Sequence, residues 1–179
     1  MLQIEIPPHE MWDEAHEQFL YFDGKALQLE HSLVSISKWE SKWEKPFLSR
    51  NEKTADEISD YVRCMTLTQN VAPEVFNYLT SDNYRQIQDY IDAPMTATTF
   101  SPDPSEKKGR IITAEVIYYR MIEFNIPFEC QKWHLNRLLT LIKVCERYNR
   151  PQKKMSNREV MARNAALNAK RRAKYNSRG

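Results

Sequence analysis

Cys130 and His134 are the only local pair of side chains suited to metal or thiol chemistry, and a helix through them would carry both on one face. A zinc site needs about four ligands, and no CxxC or HxxxH pair supplies the remainder. A cysteine nucleophile needs an adjacent base and an orienting third group, which this regular spacing does not provide. The paired carboxylates Asp13/Glu14 and Asp56/Glu57 suit helix starts or a solvated surface. Phosphate-binding loops, dinucleotide fingerprints and zincin motifs are all missing, and only three glycines occur, Gly24, Gly109 and Gly179. The expectation is a non-enzymatic protein with no catalytic residues, no bound metal and no cofactor.

The aromatic residues carry more information. Trp39 and Trp43 share one helix face in SKWESKWEKPF, with Lys38, Lys42 and Lys45 interleaved and Phe47 just beyond. Such a face either packs into a core or serves as an amphipathic contact, because Trp supplies much of the energy at protein interfaces and lysine stems lie along rings. Trp133 in CQKWHLNRLL presents the same choice. Trp39, Trp43, Phe47 and Trp133 are therefore the candidate partner contacts.

Charge is the other strong signal. The net charge of +2 conceals nine Lys or Arg against one Glu in residues 153–179, which is +8, while residues 1–152 hold 17 basic and 23 acidic side chains, which is −6. Ser156 and Glu159 fit a capping box, and the following VMARNAALNAKRRAKY is rich in helix formers. The basic residues Arg158, Arg163, Lys170, Arg171, Arg172 and Lys174 would decorate this helix. Three roles suit it: a solvated face, contact with an acidic protein surface, or neutralisation of nucleic-acid phosphates.

The elements that must position these residues read as α+β, mostly α. A small N-terminal antiparallel sheet precedes a helical bundle, and a basic C-terminal helix closes the chain. Residues 2–6 alternate as a strand up to Pro7-Pro8, and 19–22 with 26–29 read as a hairpin turning at Asp23-Gly24. Residues 10–17 read as a loop or a short helical turn. Leu33, Ile36, Trp39 and Trp43 begin the helical pattern, which Pro46 ends. Thr54 and Glu57 form a second capping box. Pro73 opens a further helical turn, and Ser81 or Asp82 caps the next helix.

Residues 94–109 contain three prolines and no periodicity, and read as a long, polar, mobile loop. Helices follow over about 110–124, with Ile112, Val116, Tyr119 and Ile122 as the stripe, and about 129–149. The junction Asn125-Ile126-Pro127 suggests that these two form an antiparallel pair. The division is one α-rich domain over 1–150, with sheet over 1–31 and helices over 32–150, then a basic helical tail over 151–179. With 41% hydrophobic residues this length can bury a core without staples, and three scattered cysteines suit a reducing compartment. The opening MLQIEIPPHE lacks the pattern of a signal peptide and no apolar run reaches membrane-spanning length, so neither a leader nor a span is expected.

The stretches LEHSLVSISKWESKWEKPFL, EKTADEISDYVRCMT, PMTATTF, IPFECQKWHLNRLLTLIKVC and ALNAKRRAKYNSRG resemble small proteins encoded in the tail gene region of long-tailed bacteriophages and prophages. The resemblance covers nearly the whole chain. It implies a tail assembly chaperone in the host cytoplasm, one that keeps the tape measure protein soluble while the tail tube forms. Trp39, Trp43, Phe47 and the 94–109 loop would be its contacts, and a homo-oligomer would add avidity. The alternative is a virion structural protein of the neck or head–tail connector, whose basic tail meets DNA or a neighbouring subunit.

Overall fold

A computed structural model describes residues 1–13, 17–100, 111–149 and 156–176. The chain is mostly helical with a small antiparallel sheet near its N-terminus. It divides into two compact units, Met1–Cys145 and Glu146–Gly179.

The N-terminal strands depart from the expected hairpin. β1 (Leu2–Ile6) pairs with β4 (Lys25–Leu29), and β2 (His9–Asp13) pairs with β3 (Gln18–Phe22), both antiparallel. Ile6 faces Lys25 and His9 faces Phe22, so two residues intervene on each side and both ladders keep one register. The result is one long two-stranded ribbon. Asp23-Gly24 is not its turn but the partner of Pro7-Pro8 at a break in its middle, and residues 10–13 are strand rather than loop. The expected loop or turn over 14–16 lies outside the described residues.

Proline removes the ladder donors at this break, and Gly24 makes room for it. Gly24 has φ 80°, and a Cβ there would stand 2.8 Å from the Ile6 carbonyl oxygen and 3.0 Å from the Pro8 nitrogen. Below the break, Ile4, Ile6, Leu27 and Leu29 are buried. Segment 65–68 covers the outer edge of β4, through Glu30 N–H to the Met65 carbonyl and Leu67 N–H to the Gln28 carbonyl.

Five α-helices follow the ribbon: α1 (Leu33–Trp43), α2 (Ala55–Met65), α3 (Ser81–Asp92), α4 (Ala114–Glu123) and α5 (Leu135–Asn149), the last of which continues past the end of the first unit. Two 3-10 turns, Pro73–Tyr78 and Phe128–Lys132, join them. The expected caps at Ser81 or Asp82 are replaced by Thr80, which forms a capping box with Asn83; the Asn83 amide also donates to the Glu5 carbonyl and ties α3 to β1. The Thr54/Glu57 box is formed as expected.

α1 is the central strut, packing against α2, α4 and the 128–132 turn. Leu33, Ile36 and Trp39 bury its core face. Beside them the Glu40 carboxylate accepts the Phe47 amide and the Ala114 amide, each at 2.7 Å. This one buried side chain holds both the chain leaving α1 and the first turn of α4. It also supplies negative charge at a helix N-terminus, where the peptide dipoles favour it.

The stripe expected to bury α4 is the wrong one. Ala114, Ile117 and Met121 face the core, whereas Ile112, Tyr119 and Ile122 are exposed and Val116 is half-buried. α4 is apolar on both sides, so periodicity alone could not select the buried one. The 94–100 segment has no helix or strand, and the expected mobile loop over 101–109 lies outside the described residues.

The second unit contains α6 (Asn157–Tyr175). Its capping box is formed, with Ser156 accepting the Glu159 amide and Glu159 accepting the Ser156 amide at 2.8 Å. No residue of α6 is buried.

Two substitutions test this framework. Gly24→Ala should destabilise the first unit by about 1–3 kcal/mol, because it forces a Cβ against backbone at positive φ. Glu40→Ala should destabilise it by about 2–4 kcal/mol, since two amides lose their charged acceptor. Urea denaturation measures both, and Gly24→Ala at wild-type stability would contradict the break geometry.

Candidate functional site

The aromatic face of α1 is built inward. Trp39 is 1% exposed, and its indole N–H donates to the Glu57 carbonyl at 2.8 Å. Trp39 is therefore a core residue, which removes it from the expected partner contacts: no surface is left to offer. Trp43 stacks on it at 6.1 Å and donates to the Asp60 carboxylate at 2.9 Å. Phe47 lies 5.1 Å from the Trp39 ring and 4.0 Å from that of Tyr61.

Lys42 and Lys45 complete this edge by pairing with Asp60 and Glu57. The Lys45 hydrogen bond, with the Thr54 amide, holds the Glu57 carboxyl below its usual range. Burial pushes Asp60 upward, but Lys42 and the Trp43 indole outweigh it and leave Asp60 low. Trp43 and Phe47 thus keep only partial surface, within a satisfied ionic rim. Trp133 is also half-buried, with the Arg137 guanidinium 4.2 Å from its ring.

The aromatic surface that sequence reasoning missed is the outer half of the ribbon. Trp12, Phe19 and Tyr21 are 48%, 53% and 72% exposed. Trp12 faces Phe19 directly across the strands. Their rings meet edge-on at 4.8 Å, and Tyr21 extends the row at 6.4 Å from Phe19. On the opposite face, Phe22 stacks on Tyr78 at 4.5 Å, with His9 at 5.9 Å, which fixes the base of this arm to the 73–78 turn. Neither HEMWD nor QFLYF alternates, so the row appears only once these segments are paired with each other.

A second exposed apolar surface runs along α4. Tyr119 and Ile122 are each 61% exposed, and Phe128 follows at 52%. In cores such residues would be covered; contiguous exposed apolar groups on a folded body mark interaction surfaces.

The Cys130–His134 pair does not form. Residues 128–132 are a 3-10 turn, and α5 starts only at Leu135, so the two side chains do not share an α-helix face. His134 instead bridges to Ser32 and stands edge-on to His31 at 5.1 Å. Among the described residues no group of three metal-ligating side chains gathers.

Both histidines are buried. His134 Nε2 donates to the Tyr90 carbonyl at 2.9 Å and Nδ1 accepts the Asn136 amide at 3.3 Å, which requires the neutral ring. His31 Nδ1 contacts the Tyr61 hydroxyl. Burial first, then the neighbouring His134, pushes His31 down to about 4, with Asp92 opposing them. Burial also lowers His134, against the Tyr90 carbonyl and Glu30.

This cluster is a junction between elements. The His31 carbonyl accepts the Leu135 amide at 2.8 Å, and the Asn136 side chain caps the end of α3 through the Ile91 and Ala93 carbonyls.

No protein-family model matches the chain, and neither a curated protein nor a solved structure matches it. No helix among the described residues is long and apolar enough to cross a membrane.

The histidine pair sets a pH dependence. Its folded pKa values are depressed, so the unfolded chain binds protons more readily below the ordinary value of 6.5. Stability should be flat for these groups above pH 6.5 and fall as pH drops towards about 4. Urea midpoints measured across this window should fall, and His31→Gln should flatten part of the slope. An unchanged slope in that variant would contradict the assignment.

Proposed function

We propose that the chain is a non-enzymatic binding protein, a tail assembly chaperone of a long-tailed bacteriophage that holds the tape measure protein before the tube encloses it. The resemblance of nearly the whole sequence to proteins of the tail gene region supports this reading. The observation that carries it is the exposed row Trp12–Phe19–Tyr21 on the arm of the ribbon.

Large, rigid aromatic rings give contact area at low entropic cost, and a row of them suits an amphipathic helix whose apolar stripe is waiting to be covered. The outer face of α4, with Tyr119 and Ile122, offers a second such surface. Two apolar surfaces on one body increase retention through avidity. Trp43, Phe47 and Trp133 contribute at most the edges that their packing leaves open. The host cytoplasm is the compartment this role requires.

Co-expression of the full chain with the neighbouring tail proteins tests the proposal. Trp12→Ala combined with Phe19→Ala should leave the helical body intact, because neither side chain belongs to the buried core, and should move most of the tape measure protein into the insoluble fraction. A folded double variant that keeps the tape measure protein fully soluble would sink this contact.

A further inference from the structure

We infer that α6 is a duplex nucleic-acid-binding helix that lies in a major groove. This inference does not depend on the chaperone reading, and it is tested without any tail protein. α6 carries six basic residues and one acidic residue, and nothing along its 19 residues is buried. A helix with no buried residue owes its stability to local devices. Here these are the Ser156/Glu159 box, the Asn176 cap in left-handed conformation and a run of alanines. The helix spans about 28 Å, or about five turns, and each of its residues is exposed.

The distribution of charge favours a groove over a flat acidic surface. At ~3.6 residues per turn, Ala162, Ala165, Ala166, Ala169 and Ala173 occupy one side of α6. Arg172 borders that side along one edge, and Arg163 and Lys170 border it along the other; Arg158 closes its N-terminal end. A flat protein surface meets one side of a helix and would leave half of these cations in water. A major groove about 12 Å wide accepts the helix and presents phosphates on both flanks. Beyond the first turn, where Arg158 and Glu159 sit, the short alanine side then faces the floor and its methyl groups can meet thymine. Lys174 and Arg171 lie behind the alanine side and reach the backbone at the groove mouth. Binding of this kind is dominated by phosphate neutralisation and counterion release.

Fluorescence anisotropy of the full chain against a labelled ~20-base-pair DNA duplex tests it over ~50–200 mM salt. The wild type should bind with a log–log salt slope of about −4, as expected for about five phosphate contacts. Lys170→Gln, Arg171→Gln, Arg172→Gln and Lys174→Gln combined should weaken binding about 100-fold at the lowest salt and bring the slope near −1. Unchanged far-UV circular dichroism would show that the helix persists, since Gln is as good a helix former as Lys or Arg. Lys170→Arg with Lys174→Arg should bind like wild type. The inference is overturned by no binding at low salt, by a quadruple variant of unchanged affinity, by preference for single-stranded DNA, or by equal displacement with poly-glutamate, which would identify an acidic protein as the partner.

Discussion

Glu40 is a carboxylate inside the body, and two backbone amides from separate parts of the chain converge on it. One belongs to the segment that leaves α1, the other to the first residue of α4, which is 74 positions away in sequence. Burial of such a group is tolerable only when charged hydrogen bonds replace water. The position of α4 on α1 therefore follows from that carboxylate together with the Trp39 ring beside it. Once α4 is set this way, Ala114, Ile117 and Met121 go inward.

The same constraint decides what remains outside. α4 has apolar residues around much of its circumference, and only one side can meet α1, so Tyr119 and Ile122 stay in solvent. The ribbon repeats the pattern by other means. Its lower half buries Ile4, Ile6, Leu27 and Leu29, and beyond the break its aromatic row is exposed. A fold that leaves two such surfaces open, while pairing the buried polar groups of its interior, is suited to holding an apolar partner. The buried histidine junction belongs to the interior, where it joins the ends of the ribbon, α3 and α5.

Much of the helical layout was legible. The Thr54/Glu57 and Ser156/Glu159 boxes each combine a hydroxyl and a carboxylate at fixed spacing, and both start helices where they should. Tertiary pairing was not legible. Asp23-Gly24 has the composition of a hairpin turn, yet its positive φ serves a break opposite Pro7-Pro8. The two uses demand the same residue type, and only the long-range register separates them. Trp39 and Tyr119 failed in opposite directions for a related reason: spacing shows that a face is apolar but not whether another element arrives to cover it. Cys130 and His134 lost their shared face because Pro127 begins a 3-10 turn and the α-helix starts late.

The proposed contact with a tail protein lies on the outer half of the ribbon and not on α3, where Tyr84 is half-buried. Site-specific photo-cross-linking in cells producing the tail proteins tests it most directly. A photoreactive residue in place of Tyr21 should yield a cross-link to the tape measure protein, and one in place of the half-buried Tyr84 should not. Cross-links at Tyr84 with none at Tyr21 would contradict the account.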